Sequence, residues 1–280
     1  MRGSAKRDYP ASIHYQSAWY KEYACIEDHF ARLNTALTRG KPVVRVGVIH
    51  PIESYWLYAG PNDKTGLKRG YLDRQFSTLV RTLCVSGVDF DFIDESLLPS
   101  LCAQGGNPLT VGEMAYDLIV LPEMTTIRST TLDRLNAFTA AGGKVVLVGS
   151  APALVDAQSS GAAKDASCAW TKLDVDYNAL VEELRDVRFL EFTDCARGSR
   201  TDNIVHQLRA DGDDLWLFFC HANDQTDNNG FVPAFNHDDV RLTVNGAYDV
   251  TEYNTLTGEI YTPAYEIKNG KTVVRKLMFN

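Results

Sequence analysis

Three short runs constrain this chain more than anything else in it: Val43–Pro51 (VVRVGVIHP), Asp117–Leu121 (DLIVL) and Lys144–Gly149 (KVVLVG). Each is apolar without alternation. A strand with no polar face is covered on both sides, which happens where helices flank a mostly parallel sheet. Helical patterns lie between the runs. Leu72, Phe76, Leu79, Val80 and Leu83 share one face of a helix near Leu72–Val85 that Gly87 ends. A second helix starts at Ser129 or Thr130, runs through Leu132, Leu135 and Phe138, and stops at Gly142-Gly143. Phe90–Ile93 adds a further strand, leading into Asp94 and Glu95. Strands alternating with helices predict a doubly wound, parallel α/β sheet.

The flanks follow other rules. In residues 14–40, Tyr23, Ile26, Phe30, Leu33 and Leu37 form an amphipathic stripe, closed by Gly40 and Pro42. Trp19 and Tyr20 precede it and suit a docking surface. Residues 156–172 are rich in Ala, Ser and Gly and read as a loop, Tyr177–Leu184 as a helix, and Arg188–Phe192 as one more strand. Beyond that, turn signals recur at Asp211-Gly212, Asn245-Gly246, Thr257-Gly258 and Asn269-Gly270, between alternating segments such as Arg241–Val244. This is the grammar of an antiparallel sandwich. Its strands are too few to close one, so the expectation is an incomplete sandwich whose chain continues past Asn280. The expected division is a helical lead-in at 1–41, an α/β domain at 42–200 and an antiparallel β region at 201–280.

A net charge of −8 disfavours nucleic acid and anionic membrane surfaces as partners. The six cysteines (Cys25, Cys84, Cys102, Cys168, Cys195, Cys220) show no C-x-x-C and no metal spacing, and read as reduced core residues of a cytoplasmic protein. There is no signal peptide pattern and no run long enough to span a bilayer.

Ligands of open α/β sheets sit past the carboxyl ends of the strands. There the first strand meets His50, Glu53, Tyr55 and Trp56, in what reads as a loop, and the third meets Glu123. Carboxylate and imidazole groups bind polyols or act as acid and base, and aromatic faces stack on sugar rings. The plainer reading is that His50 ends the strand by hydrogen bonding and the aromatics bury against a neighbouring domain. Asp94 and Glu95 read as helix caps or solvated acids. Ser150, in Gly149-Ser150-Ala151-Pro152, lacks the G-x-S-x-G of a nucleophile elbow and a matched histidine. His206, His221 and His237 match no zinc spacing, and Asp224, Asp227, Asp238 and Asp239 are more simply loop acids than a Ca²⁺ site. No metal, cofactor or catalytic residue is assigned.

The succession His14–Tyr20, Ala31–Leu33, Gly40–Pro42 and Val48–Ser54 resembles large multidomain bacterial glycoside hydrolases, α-L-rhamnosidase-like and β-galactosidase-like. The resemblance continues through Asp89–Ile93, Tyr116–Pro122, Gly142–Lys144 and Thr257–Ile260. It implies a flavodoxin-like domain, similar to class I glutamine amidotransferases, that follows a (β/α)₈ catalytic barrel. It also implies that the catalytic carboxylates lie on that barrel. The amidotransferase cysteine is absent, its turn reading Gly149–Pro152. The preferred function is a non-catalytic accessory domain in carbohydrate degradation that packs on the barrel, shapes its active-site rim with residues near His50–Trp56 or helps assemble a homo-oligomer, and meets carbohydrate through the parent enzyme. The alternatives are a self-sufficient glycoside hydrolase using His50, Glu53 and Glu123, and a carbohydrate-binding module using Trp56, Tyr55 or the aromatics of the sandwich as a stacking platform.

Overall fold

The apolar runs assemble into one parallel sheet. The computed structural model describes residue 15 and residues 17–222 and 237–279. Helix α1 (Ala24–Leu37) comes first, then β1 (Val46–Ile49), the short α2 (Ile52–Trp56) and the long α3 (Asn62–Cys84). Next are β2 (Phe90–Ile93), β3 (Leu118–Leu121), α4 (Ser129–Ala140), β4 (Lys144–Val148), β5 (Thr171–Leu173) and α5 (Tyr177–Glu183). The strand order is β5-β4-β3-β1-β2, and every pairing in it is parallel.

The unbroken apolar runs have a direct packing explanation. Ile49, Ile119, Leu121, Val145 and Leu147 point into one core with Leu132, Leu135 and Phe138 of α4. Their neighbours Val46, Val48, Leu118, Val120, Val146 and Val148 point into the other, against Leu79 and Leu83 of α3 and Leu180 of α5. Each residue therefore buries its side chain whichever way the pleat directs it, at roughly 1.5–3 kcal/mol per large aliphatic group.

Strands β6 (Leu190–Asp194), β7 (Ile204–Asp211), β8 (Asp214–His221), β9 (His237–Asn245), β10 (Tyr265–Lys268) and β11 (Lys271–Phe279) are antiparallel. One sheet runs Ser199–Arg200, β6, β9, β11, β10, and the other Lys41–Pro42, β7, β8. Both contribute to a third apolar core: Leu190 and Phe192 meet Ile204, Leu208, Leu242 and Val274. The β7–β8 turn has Asp211 opposite Asp214, with Gly212 at φ +62°. Asn269 (+51°) and Gly270 (+72°) turn β10 into β11, the pair of positive φ angles that a tight two-residue hairpin demands.

Several expectations need correction. The strand read at Arg188–Phe192 forms two residues later and joins the antiparallel sheet, not the parallel one, because its buried face meets Leu242 and Ile204. The segment 156–172, read as a loop, holds a one-turn helix at Ala162–Ala166 and the start of β5. Residues 50–56, also read as a loop, contain α2. His237–Asp239, read as a polar loop, begins β9. Asp224 and Asp227 lie outside the described residues. The α1 stripe buries only Leu33, and Trp19, Tyr20, Ile26 and Phe30 stay exposed. Arg32 ties α1 to the 252–261 hairpin by donating from Nη1 to the carbonyls of Thr255 and Leu256, at 3.1 and 2.9 Å. No described helix is long and apolar enough to cross a membrane.

Candidate functional site

Past the carboxyl end of β1, Pro51 opens α2, and one turn of helix puts Glu53 and Trp56 on the same face. Ser54, fully buried, seats this helix. Its Oγ accepts the N–H groups of Thr125 and Thr126 at 2.9 and 3.0 Å and donates to the Thr126 carbonyl at 3.2 Å. Arg128, immediately before α4, closes on Glu53 from the other side. Nε and Nη2 both donate to Oε1 of Glu53, at 2.7 and 2.5 Å. That hydrogen bonding is the main reason the Arg128 guanidinium is held above its ordinary value.

Below this pair lies Glu95, only 3% exposed. Its Oε2 accepts the backbone N–H of Arg128 at 2.8 Å, whereas Oε1 has no partner; the hydroxyls of Thr130 and Thr131 are likewise buried without a formed hydrogen bond. Burial dominates and pushes the Glu95 carboxyl up to about 7, against the pull of the Arg128 backbone N–H. Asp156 forms the far wall, with φ +49°, followed by Ala157 at +60°. Two consecutive non-glycine residues in the left-handed region are costly. They are held there by Asp156 N–H to the Ile127 carbonyl (3.0 Å), Ala157 N–H to Thr126 Oγ1 (3.1 Å) and Ser129 N–H to Asp156 Oδ1 (3.0 Å). These residues border an open, shallow cleft of about 470 Å³, lined by Glu53, Trp56, Thr126, Arg128, Thr130 and Asp156 among others.

The remaining candidates from the sequence fall elsewhere. His50 donates its N–H to the Ile93 carbonyl at 3.0 Å, and its ring packs on Phe76 and Phe92, with centroids 5.3 and 5.8 Å away. Tyr55 is half-buried and does not line the cleft. Glu123 accepts the Tyr71 hydroxyl at 2.6 Å, which raises the Tyr71 phenol above its usual range. Asp94 caps the following turn, accepting Ser96 N–H at 2.7 Å and Leu97 N–H at 3.2 Å, and the hydrogen bond from the Ser96 hydroxyl leads the effects holding its carboxyl low. Glu95, by contrast, is no solvated acid. Ser150 is exposed, and His206 faces Asp89 at 3.3 Å, at the foot of the antiparallel sheets. Among the described residues no hydrogen bond or ion pair joins His50, Glu53 and Glu123 to one another.

Arg128, Ser54, Thr130 and Asp156 escaped the sequence reading. One signal was present: an arginine directly before the N-terminus of a helix on the ligand-bearing edge has no capping role of its own.

No family model and no curated protein matches the chain. Solved structures do. A rhamnosidase from Novosphingobium sp. PP1Y superposes with a TM-score of 0.61 at 17% identity, over 95% of this chain and 24% of that one. α-L-Fucosidase isoenzyme 2 from Paenibacillus thiaminolyticus gives 0.51 at 12% identity, over 92% and 50%. The β-galactosidase of Bacillus circulans sp. alkalophilus, at 0.44 and 14% identity over 99% and 48%, fits too loosely to bear on the fold. The chain thus spans a quarter to a half of the structures it resembles, and what it shares with the first two is a fold.

Proposed function

We propose that this chain is a non-catalytic accessory portion of a carbohydrate-degrading enzyme. The observation that carries the reading is the likeness to a rhamnosidase over nearly all of this chain but only 24% of that one. The chemistry of the sheet edge agrees. Glycoside hydrolysis needs two carboxyl groups facing one bond, about 5–10 Å apart. Here Glu53 is engaged by Arg128, Glu123 by Tyr71, and Asp94 by its own turn. A glutaminase needs an activated thiol, and the turn after β4 reads Gly149-Ser150.

The finer parts of the reading rest on the same footing. Strand order 2-1-3-4-5 supports a flavodoxin-like, amidotransferase-like domain. The core shared by two antiparallel sheets supports a sandwich, and the pairing of β6 with β9 favours starting it at Leu190. The exposed face of Trp19, Tyr20 and Phe30 suits packing on a barrel or on another copy. Six cysteines without a disulfide suit a reducing, cytoplasmic setting.

The test is turnover. The 280-residue chain should hydrolyse neither nitrophenyl glycosides nor glutamine above background. Hydrolysis abolished by Glu53→Gln or Glu123→Gln, with the melting temperature intact, would overturn the proposal.

A further inference from the structure

We propose that the cleft between α2 and the Arg128 and Asp156 turns binds a neutral sugar ring, gripping two adjacent hydroxyls with Arg128 and Glu53 and stacking the ring on Trp56. The proposal rests on the carbohydrate setting argued above and deepens it by naming a site and a ligand class.

The geometry of the Arg128–Glu53 pair carries the first step. Arg128 spends Nε and Nη2 on a single oxygen, Oε1 of Glu53. Nothing among the described residues bonds Nη1 of Arg128 or Oε2 of Glu53, and both residues line the cleft. A donor on Arg128 and an acceptor on Glu53, held in one ion pair, match hydroxyl groups, each of which both donates and accepts. The pair is already oriented, so little side-chain entropy is lost on binding.

Trp56 supplies the apolar half. It sits one helical turn from Glu53 and is 61% exposed. A pyranose has a C–H face as well as a hydroxyl rim, and an aromatic ring beside polar groups serves both. The volume of about 470 Å³ lies within the usual range of small-molecule sites, about 300–1,000 Å³.

Charge selects the class. Glu53 and Asp156 outnumber Arg128 in the lining. Phosphates, uronates and other anions meet net repulsion, whereas neutral polyols do not. The strained Asp156–Ala157 turn fixes the far wall, which favours a preformed site over one that closes on its ligand.

Isothermal titration calorimetry on the full chain tests this, using methyl α-L-rhamnopyranoside, methyl β-D-galactopyranoside and, as the anionic arm, methyl β-D-glucuronide. Saturable heat is expected from at least one neutral glycoside and none from the glucuronide. Trp56→Ala and Arg128→Met should each weaken binding at least about tenfold, and Trp56→Ala, at an exposed position, should leave the melting temperature unchanged. Three results would overturn the proposal: no saturation by either neutral glycoside up to about 50 mM, far above the millimolar range of a weak site; equal binding of the glucuronide; or binding that survives both substitutions. None of these involves turnover, so loss of the cleft proposal leaves the accessory reading standing, and detected hydrolysis sinks the accessory reading alone.

Discussion

The backbone N–H of Arg128 donates to Oε2 of Glu95 at 2.8 Å, so the residue that clamps Glu53 is itself positioned by a carboxylate buried beneath it. Burial moves the Glu95 carboxyl from 4.5 to about 7. The folded state therefore holds this proton more tightly than the unfolded chain. Between pH 4.5 and 7 the stability this one group contributes falls as pH rises, by on the order of 3 kcal/mol in total, and its contribution is constant outside that window. Glu95→Gln keeps an acceptor for Arg128 and removes the titration. Denaturant melts should show the two proteins alike near pH 4 and the variant the more stable at pH 8. A constant difference across that range would refute the assignment.

Ser54 makes three hydrogen bonds from a fully buried position, and it is what docks α2 against Thr125 and Thr126. Ser54→Ala leaves the N–H groups of half-buried Thr125 and buried Thr126 without their acceptor, at about 1–3 kcal/mol for a buried unsatisfied group. The expected outcome is a clear fall in denaturation midpoint, together with weaker glycoside binding, although Ser54 does not line the cleft. Binding unchanged in a destabilised Ser54→Ala would show that α2 does not need this anchor.

What was legible in the sequence and what was not divides on physical grounds. β1, β3 and β4 are central strands covered by helices on both sides, so all but Gly47 and the leading Lys144 carry apolar side chains and the run announces itself. β5 reads Thr171-Lys172-Leu173 and sits at the sheet's edge, where one neighbour and partial exposure leave no hydrophobic signature. Helix α3 begins at Asn62, ten residues before the predicted Leu72, because its first turns carry Lys64, Gly66 and Lys68 on a solvent-facing surface with little periodicity. The site was half legible. Glu53 and Trp56 follow an obvious strand, whereas Arg128 and Asp156 arrive from turns distant in sequence, and no spacing rule links them to Glu53. Glu95 was misjudged because its burial is made by Arg128 and α4, which no local pattern reports.

The cysteines offer a check on burial. All six are unpaired; Cys25 and Cys168 are exposed, Cys102 is buried, and burial raises the thiols of Cys84, Cys195 and Cys220. The uniform core placement read from sequence therefore does not hold. Since the thiolate is the reactive form, an aromatic disulfide reagent at pH 8 should titrate two thiols rapidly and the rest slowly, with Cys102 reacting only on unfolding. Mass spectrometric mapping of the labelled peptides identifies them. Rapid labelling of Cys102 would contradict the packing of α4 over this core.

Gly47 lies in the middle of β1, where the sheet has no room for a side chain. A Cβ there would stand 2.6 Å from Cδ1 of Ile93, 2.9 Å from Cδ1 of Ile119 and 3.2 Å from Cδ2 of Tyr116. These three are themselves buried, so the usual escape, swinging a flexible tip into solvent, is closed. Gly47→Ala should cost about 1–3 kcal/mol through overpacking, and it should act through tertiary packing because alanine's backbone preference is no worse in a strand than glycine's. Gly66, within α3, is the matched control. The nearest atom to a Cβ there is that of Asn62, at an ordinary 3.6 Å. Gly66→Ala should stabilise by up to about 1 kcal/mol, since alanine is the better helix former. Urea denaturation of the two variants beside the parent decides the matter. Opposite shifts of the midpoint at an unchanged slope support the packed two-faced sheet, and a neutral Gly47→Ala would show that β1 is not clamped between Ile93 and Ile119.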